Sequence, residues 1–250
     1  MSTLTLAAVH TKYNLLETMR VPIAIIGSLV FPTLAFCLFV LPQGTVTQTP
    51  EYATAAIASM IVFAFMSASL FSIGLDLAEQ RSKPWWPYLR TLPGSAAARI
   101  IGLMAATLII SIVAMIPLLI VGGLFTTASV AMPDLLAAIG LVILTAVPSA
   151  LLGIVIGTTA GPKAAIAITQ VVMFLLAFGG GLFLPPLLFP HWLDVASSFL
   201  WVRQAREIVV GAALGTEIPP WAILGILAWT AVLGILAVWL YKRDEGRRYR

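Results

Sequence analysis

The chain has 250 residues, 60% of them apolar and only 10% charged, with a mean hydropathy of +1.04 and a net charge of +4. Ordinary soluble domains carry about 25% charged residues, so this composition excludes a soluble globular enzyme and predicts an integral membrane protein. Cys37 is the one cysteine, which excludes an intrachain disulfide and a thiolate metal cluster.

In residues 1–20, Leu4, Ala8, Thr11, Leu15 and Met19 recur at near-helical spacing, with Lys12, Glu17 and Arg20 mostly off that stripe. This predicts an amphipathic helix on the inner membrane surface, although a frayed lead-in fits the same residues. No cleaved signal peptide is expected, because the first apolar run starts after residue 20, is too long, and lacks a small-x-small exit. "LAFC", residues 34–37, is not expected to carry lipid, since Phe36 is too large for the position before such a cysteine.

Crossing a hydrocarbon core of about 30 Å takes roughly 20 consecutive apolar residues in a helix. Six runs free of Asp, Glu, Lys, Arg and His meet that length: 21–41, 53–75, 100–125, 135–159, 164–184 and 221–241. With the N-terminus inside, twelve of the fourteen Lys and Arg fall on the inner side, and only Arg203 and Arg206 fall outside. Both termini are therefore expected in the cytoplasm of a multi-pass inner-membrane protein. The basic tail "YKRDEGRRYR" is expected to anchor the last helix beside anionic lipid rather than to bind nucleic acid.

The loop after the second run reads "DLAEQRSKPWWPYLRTLPGSAAAR", residues 76–99. Trp85 and Trp86 suit the lipid interface, and a short turn from Leu89 to Leu92 is stopped by Pro93. A partner could dock there, while local composition alone also fits a solvated positive-inside loop. In the fourth run, Ser149, Gly153, Gly157 and Gly161 recur every four residues, which stacks small side chains on one helix face and predicts close packing. Spacing leaves open whether that face meets another helix of the same chain, the preferred reading, or a second copy.

Residues 185–219 hold Pro185, Pro190, Trp192, Arg203, Arg206 and Glu207 and are apolar yet punctuated. Each charge near mid-membrane costs about 3 kcal/mol, so this segment is not expected to span. Short helices that dip into the outer leaflet and return are expected, with Arg203 pairing with Glu207 one turn later.

Chemistry that a catalyst needs is missing. His10 and His191, the only histidines, fall on opposite sides of the predicted topology, and there is no HExxH spacing. "GTTAGPK", residues 157–163, has three residues between its glycines and a proline before its lysine, so it is not a phosphate loop. A proton- or ion-coupled carrier keeps ionisable groups inside its spans, and the six runs contain none. The work of transport is thus expected to enter from a partner.

The order of parts resembles the permease subunits of ABC-2-type exporters. "LRTLPGS", residues 89–95, and "GGGLFLPPLLFPHWLDVAS", residues 179–197, carry the resemblance, inside a layout of surface helix, six spans, basic inner loop and proline-rich outer segment. The family's Gly-Thr before the Leu-Pro element is replaced here by "KPWWPY", although Glu79 is present. The resemblance implies an all-α membrane domain over residues 1–250, with a coupling helix between spans two and three and a re-entrant segment between spans five and six. Glu79, Arg81, Leu89, Arg90, Thr91, Leu92 and Pro93 would then receive the motion of a separate ATPase. It further implies two copies of an ABC ATPase subunit, which would bind the ATP and Mg, a second permease, identical or related, and surrounding lipid. The expected function is ATP-driven export of an amphipathic substrate, a drug or antibiotic first and a lipid or glycan second. The rival class is an ATPase-independent membrane protein, either a secondary carrier or an assembly scaffold.

Overall fold

The structure is a computed structural model that describes residues 3–20, 22–84 and 96–247. Among the described residues every regular element is helical: α1 (Thr3–Met19), α2 (Pro22–Phe39), α3 (Gly44–Gln48), α4 (Pro50–Ser82), α5 (Ala96–Phe125), α6 (Met132–Thr145), α7 (Val147–Thr159), α8 (Pro162–Gly179), a 3₁₀ turn at Pro186–Leu188, α9 (His191–Ser198), α10 (Trp201–Leu214) and α11 (Pro220–Arg247). Helices satisfy their backbone groups internally, which hydrocarbon demands. Five stretches are long and apolar enough to cross a membrane: Pro50–Ser82, Ala98–Phe125, Met132–Thr159, Pro162–Gly179 and Pro220–Leu240. Each falls on one of the six charge-free runs, and the remaining run holds α2, whose described apolar part, Val30–Phe39, is shorter.

The axis of the bundle is α4. Its most apolar window is 78% buried, against 17% for α11, and it packs against α7, α5, α10, α8 and α2. A helix apolar on every side belongs at the centre, and its polar groups must be answered locally. Accordingly the Ser59 and Ser67 hydroxyls donate to the carbonyls of Ala55 and Ala64, at 2.7 and 3.1 Å. The peripheral helices turn apolar side chains outward, among them Leu224 and Ile235 on α11 and Val171 and Leu175 on α8. Near the end of α11, the Arg243 guanidinium lies over the Trp239 ring, 5.1 Å from its centroid.

Three boundaries differ from the charge-free runs. Instead of ending near residue 75, α4 continues to Ser82, because Asp76, Glu79 and Gln80 face a cavity rather than lipid. The fourth run turns at Ala146, where Pro148 enters the first turn of α7 without an N–H to give. The fifth run stops at Gly179 instead of 184. A Cβ at Gly180 would meet the Val202 Cγ1 at 2.6 Å and the Leu176 carbonyl at 2.7 Å, and Gly181 follows at φ +74°, a left-handed conformation that glycine alone enters freely. The chain therefore leaves the helix where α10 crosses it.

The face of α1 that docks shares only Thr11 with the predicted stripe. Ala7 is buried against α5, with His10 and Thr11 beside it, whereas Leu4, Ala8 and Met19 are exposed. The crossing is close because Gly102 lacks a side chain: a Cβ there would meet the His10 Cβ at 2.5 Å. The uncovered stripe is what a helix resting on a membrane surface would present to it.

Candidate functional site

Two cavities lie at opposite ends of α4. The first, about 650 Å³, is lined by α1, α2, the C-terminal half of α4 and α8. On α4 its wall is one helical face, with Phe71, Leu75 and Glu79 on one ridge and Ser72, Asp76 and Gln80 on the next. Phe31 of α2 and Met173 of α8 continue the apolar part, while Asn14, Glu17 and Thr18 of α1 and Gln170 of α8 add polar groups. Asp76 lies within electrostatic reach of Glu17, Glu79 and Lys83.

The second cavity, about 640 Å³, sits over the N-terminal end of α4 and is closed by the turn after α8 and by α9 and α10. Its charged wall is a paired cluster. Glu207 accepts contacts from Arg203 Nε at 2.8 Å and from Arg206 Nη1 at 2.9 Å, and Asp194 lies 3.3 Å from Arg203 Nη1. These guanidiniums are only 11% and 12% exposed. Burial pushes Arg206 down from its ordinary value, opposed by the neighbouring Glu207. The i, i+4 spacing on α10 puts Arg203 and Glu207 on one face, which lets a short helix carry three charges among apolar neighbours.

Between the cavities stands a knot of five phenylalanines. Phe183 packs on Phe39 and Phe63, each at 4.8 Å between centroids, and on Phe178 at 5.0 Å, while Phe31 reaches Phe63 at 5.8 Å. Phe31 belongs to the wall of the first cavity and Phe183 to that of the second. The knot thus joins the wall of one chamber to the wall of the other. Nothing in the spacing of these rings announces it, since they come from α2, α4, α8 and the turn after α8.

The residues singled out from sequence fall into three places. Arg81, at the first-cavity end of α4, donates from Nη1 to the Gly157 carbonyl at 2.8 Å. Carbonyls in the last turn of a helix have no intrahelical partner and carry the negative end of its dipole, so the guanidinium locks the end of α7 to α4. Glu79 lies at the cavity rim, its carbonyl accepting from the Ser82 hydroxyl at 2.7 Å. Leu89, Arg90, Thr91, Leu92 and Pro93 lie outside the described residues.

Of the small residues on α7, Gly153 and Gly157 face α4 directly. A Cβ at Gly157 would sit 2.8 Å from the Gly74 carbonyl, and one at Gly153 would sit 3.0 Å from the Ser69 carbonyl. Ser149 joins the same face differently: its hydroxyl accepts from Trp201 Nε1 at 3.1 Å, tying α7 to α10. Gly161 leaves the ladder, because α7 has ended and a Cβ there would meet nothing within 4 Å. Pro185 lines the second cavity, Pro190 precedes α9, and Trp192 is exposed.

Sequence reasoning missed Asp76, Glu17 and Gly102. In the sequence Asp76 opens the inner loop and Glu17 lies off the apolar stripe of the first helix, neither marking the wall of a chamber, and Gly102 carries no periodic signal. Among the described residues no group of three or more His, Cys, Asp or Glu could hold a metal ion.

Comparison with known proteins follows this geometry. The family model described as ABC-2 type transporter matches residues 5–214. Over 193 residues the chain is 23% identical to a protein of Bacillus subtilis (strain 168) named "Putative transport permease YvfS", covering 75% of this chain and 77% of that one. The match takes in α1, the knot of phenylalanines and the charged cluster on α10, and ends before α11.

Proposed function

The chain belongs to the ABC-2 type transporter family, a membrane transport component whose family implies an ABC ATPase partner, and on that premise we propose that it is the permease of an ATP-driven exporter of amphipathic molecules. The observation that carries this reading is the pair of chambers: two of similar volume at the two ends of α4, each with apolar and polar walls, linked by an aromatic knot. A molecule with an apolar body and a polar end fits such walls, and alternate exposure of the chambers moves it without a charge crossing bare hydrocarbon.

The permease has six spans, α2 supplying the first, with both termini in the cytoplasm of the inner membrane. Residues 79–95 form the inner contact with two ATPase subunits, which bind ATP and Mg, and a second permease completes the complex. Outer residues 185–219 re-enter the leaflet and cap the second chamber. Arg81 supports the coupling role, because it fastens the end of α4 to α7 and so passes movement of the inner loop into both helices. The test is co-purification: tagged permease made together with the ABC ATPase encoded beside it should elute as a complex of two permeases and two ATPases. Elution of the permease without any nucleotide-binding subunit would overturn the reading.

A further inference from the structure

We propose that the inner chamber selects cationic amphiphiles, which names the cargo class of the permease reading and rests on it. The chamber is the starting point: about 650 Å³, enough for a molecule of several rings, with an apolar floor and a polar mouth. Phe31, Phe71 and Met173 make up the floor, and aromatic faces attract cations as well as apolar groups. The mouth carries the sign. Among the described residues, Glu17, Asp76 and Glu79 line it with Lys83, three acidic side chains to one ammonium. Among the described residues none of the three carboxylates makes an ion pair.

Position sharpens the argument. Asp76 lies one helical turn past Ser72 on the ridge beside Phe71 and Leu75, so a bound molecule whose rings lie on the floor brings a positive centre to that carboxylate. Glu17 reaches the same point from α1, a different helix. The outer chamber differs in degree: Glu51, Asp194 and Glu207 line it against two guanidiniums, Arg203 and Arg206, which engage Glu207 and Asp194 and leave a smaller acidic excess. A cation is therefore held more strongly inside than outside, which favours its release at the far end. An anion of the same shape would meet an excess of acidic groups at the mouth and is disfavoured.

Tetraphenylphosphonium and tetraphenylborate are nearly equal in size and shape and opposite in charge, so they isolate the sign. Binding of each is measured by equilibrium dialysis to purified full-length permease in nanodiscs of zwitterionic lipid, with empty nanodiscs as the blank. Tetraphenylphosphonium should bind saturably and at least tenfold more tightly than tetraphenylborate. Asp76→Asn and Glu17→Gln, on separate helices, should each weaken the phosphonium about threefold or more and reduce the preference between the two ions. Melting profiles identify a variant that has not folded, and the exposed Glu17 remains informative if Asp76→Asn fails. Equal binding of the two ions, or an unchanged preference in folded Asp76→Asn and Glu17→Gln, would overturn the proposal. Neither measurement needs the ATPase, so a failed co-purification and a failed charge preference are separate results.

Discussion

At the scale of single residues, the charged cluster of α10 is a buried ion group centred on Glu207, which meets both arginines, while Asp194 meets Arg203. Glu207→Ala would leave two nearly buried guanidiniums with Asp194 alone, and breaking such a group costs about 3 kcal/mol. A melting profile in detergent should fall sharply for Glu207→Ala and less for Glu207→Gln, which keeps an acceptor oxygen. His10 gives a second test. Burial, and then the nearby Arg99, lower its pKa from 6.5, so folding favours the neutral ring. The unfolded chain binds the extra proton; the contribution is therefore complete above pH 6.5 and is lost as pH falls through the lowered folded value. Melting should drop between pH 7.5 and pH 5 by more in the wild type than in His10→Gln. Residue roles were the least legible part of the sequence. Asp76 stands one position beyond a charge-free run, and only the placing of α1, α2 and α8 across a cavity from α4 turns it from the end of a span into the wall of a chamber. Trp201 likewise shows nothing in its own segment of its bond to Ser149, which lies 52 positions away.

At the scale of elements, hydropathy located the spans because hydrocarbon excludes charge, whereas their ends depend on what each helix meets. Thus α4 outlasts its apolar run, since its last two turns border a chamber, and α8 stops early, since α10 crosses at Gly180. The four-residue ladder on α7 was legible as a close-packing face, but its last rung was not, because Gly161 belongs to the link into α8. This separates two substitutions of the same chemistry. Gly157→Leu drives a side chain into the Gly74 carbonyl and the Leu77 Cβ, both 2.8 Å from the first added atom, and backbone cannot yield cheaply. Yield and melting should fall for Gly157→Leu by the equivalent of about 2 kcal/mol or more, while Gly161→Leu, with open space around it, should match the wild type. Equal effects of the two would mean that the α4–α7 crossing is not the close contact described.

At the scale of the whole molecule, a buried central helix carries two chambers and an aromatic knot, and its inner end is fastened to a neighbouring helix beside the loop that a motor subunit would push. The orientation rests on the asymmetry of Lys and Arg. In a Cys37→Ser background, cysteines at Ser82 and Arg247 should resist an impermeant thiol reagent in intact cells and one at Thr216 should label. The central claim is that an ATPase works on the chain through residues 79–95. Leu89 and Leu92 stand three positions apart in the sequence, and if that segment docks on the partner a carboxylate at position 92 would be buried at a cost of several kcal/mol, whereas on a solvated loop it would cost almost nothing. The deciding measurement is ATPase pull-down by the Leu92→Asp permease beside the wild type and Arg90→Ala, where a rim charge is worth about 0–1 kcal/mol. The account predicts that Leu92→Asp loses the ATPase and retains the wild-type melting profile while Arg90→Ala still captures it; a Leu92→Asp permease that binds the ATPase normally would contradict it.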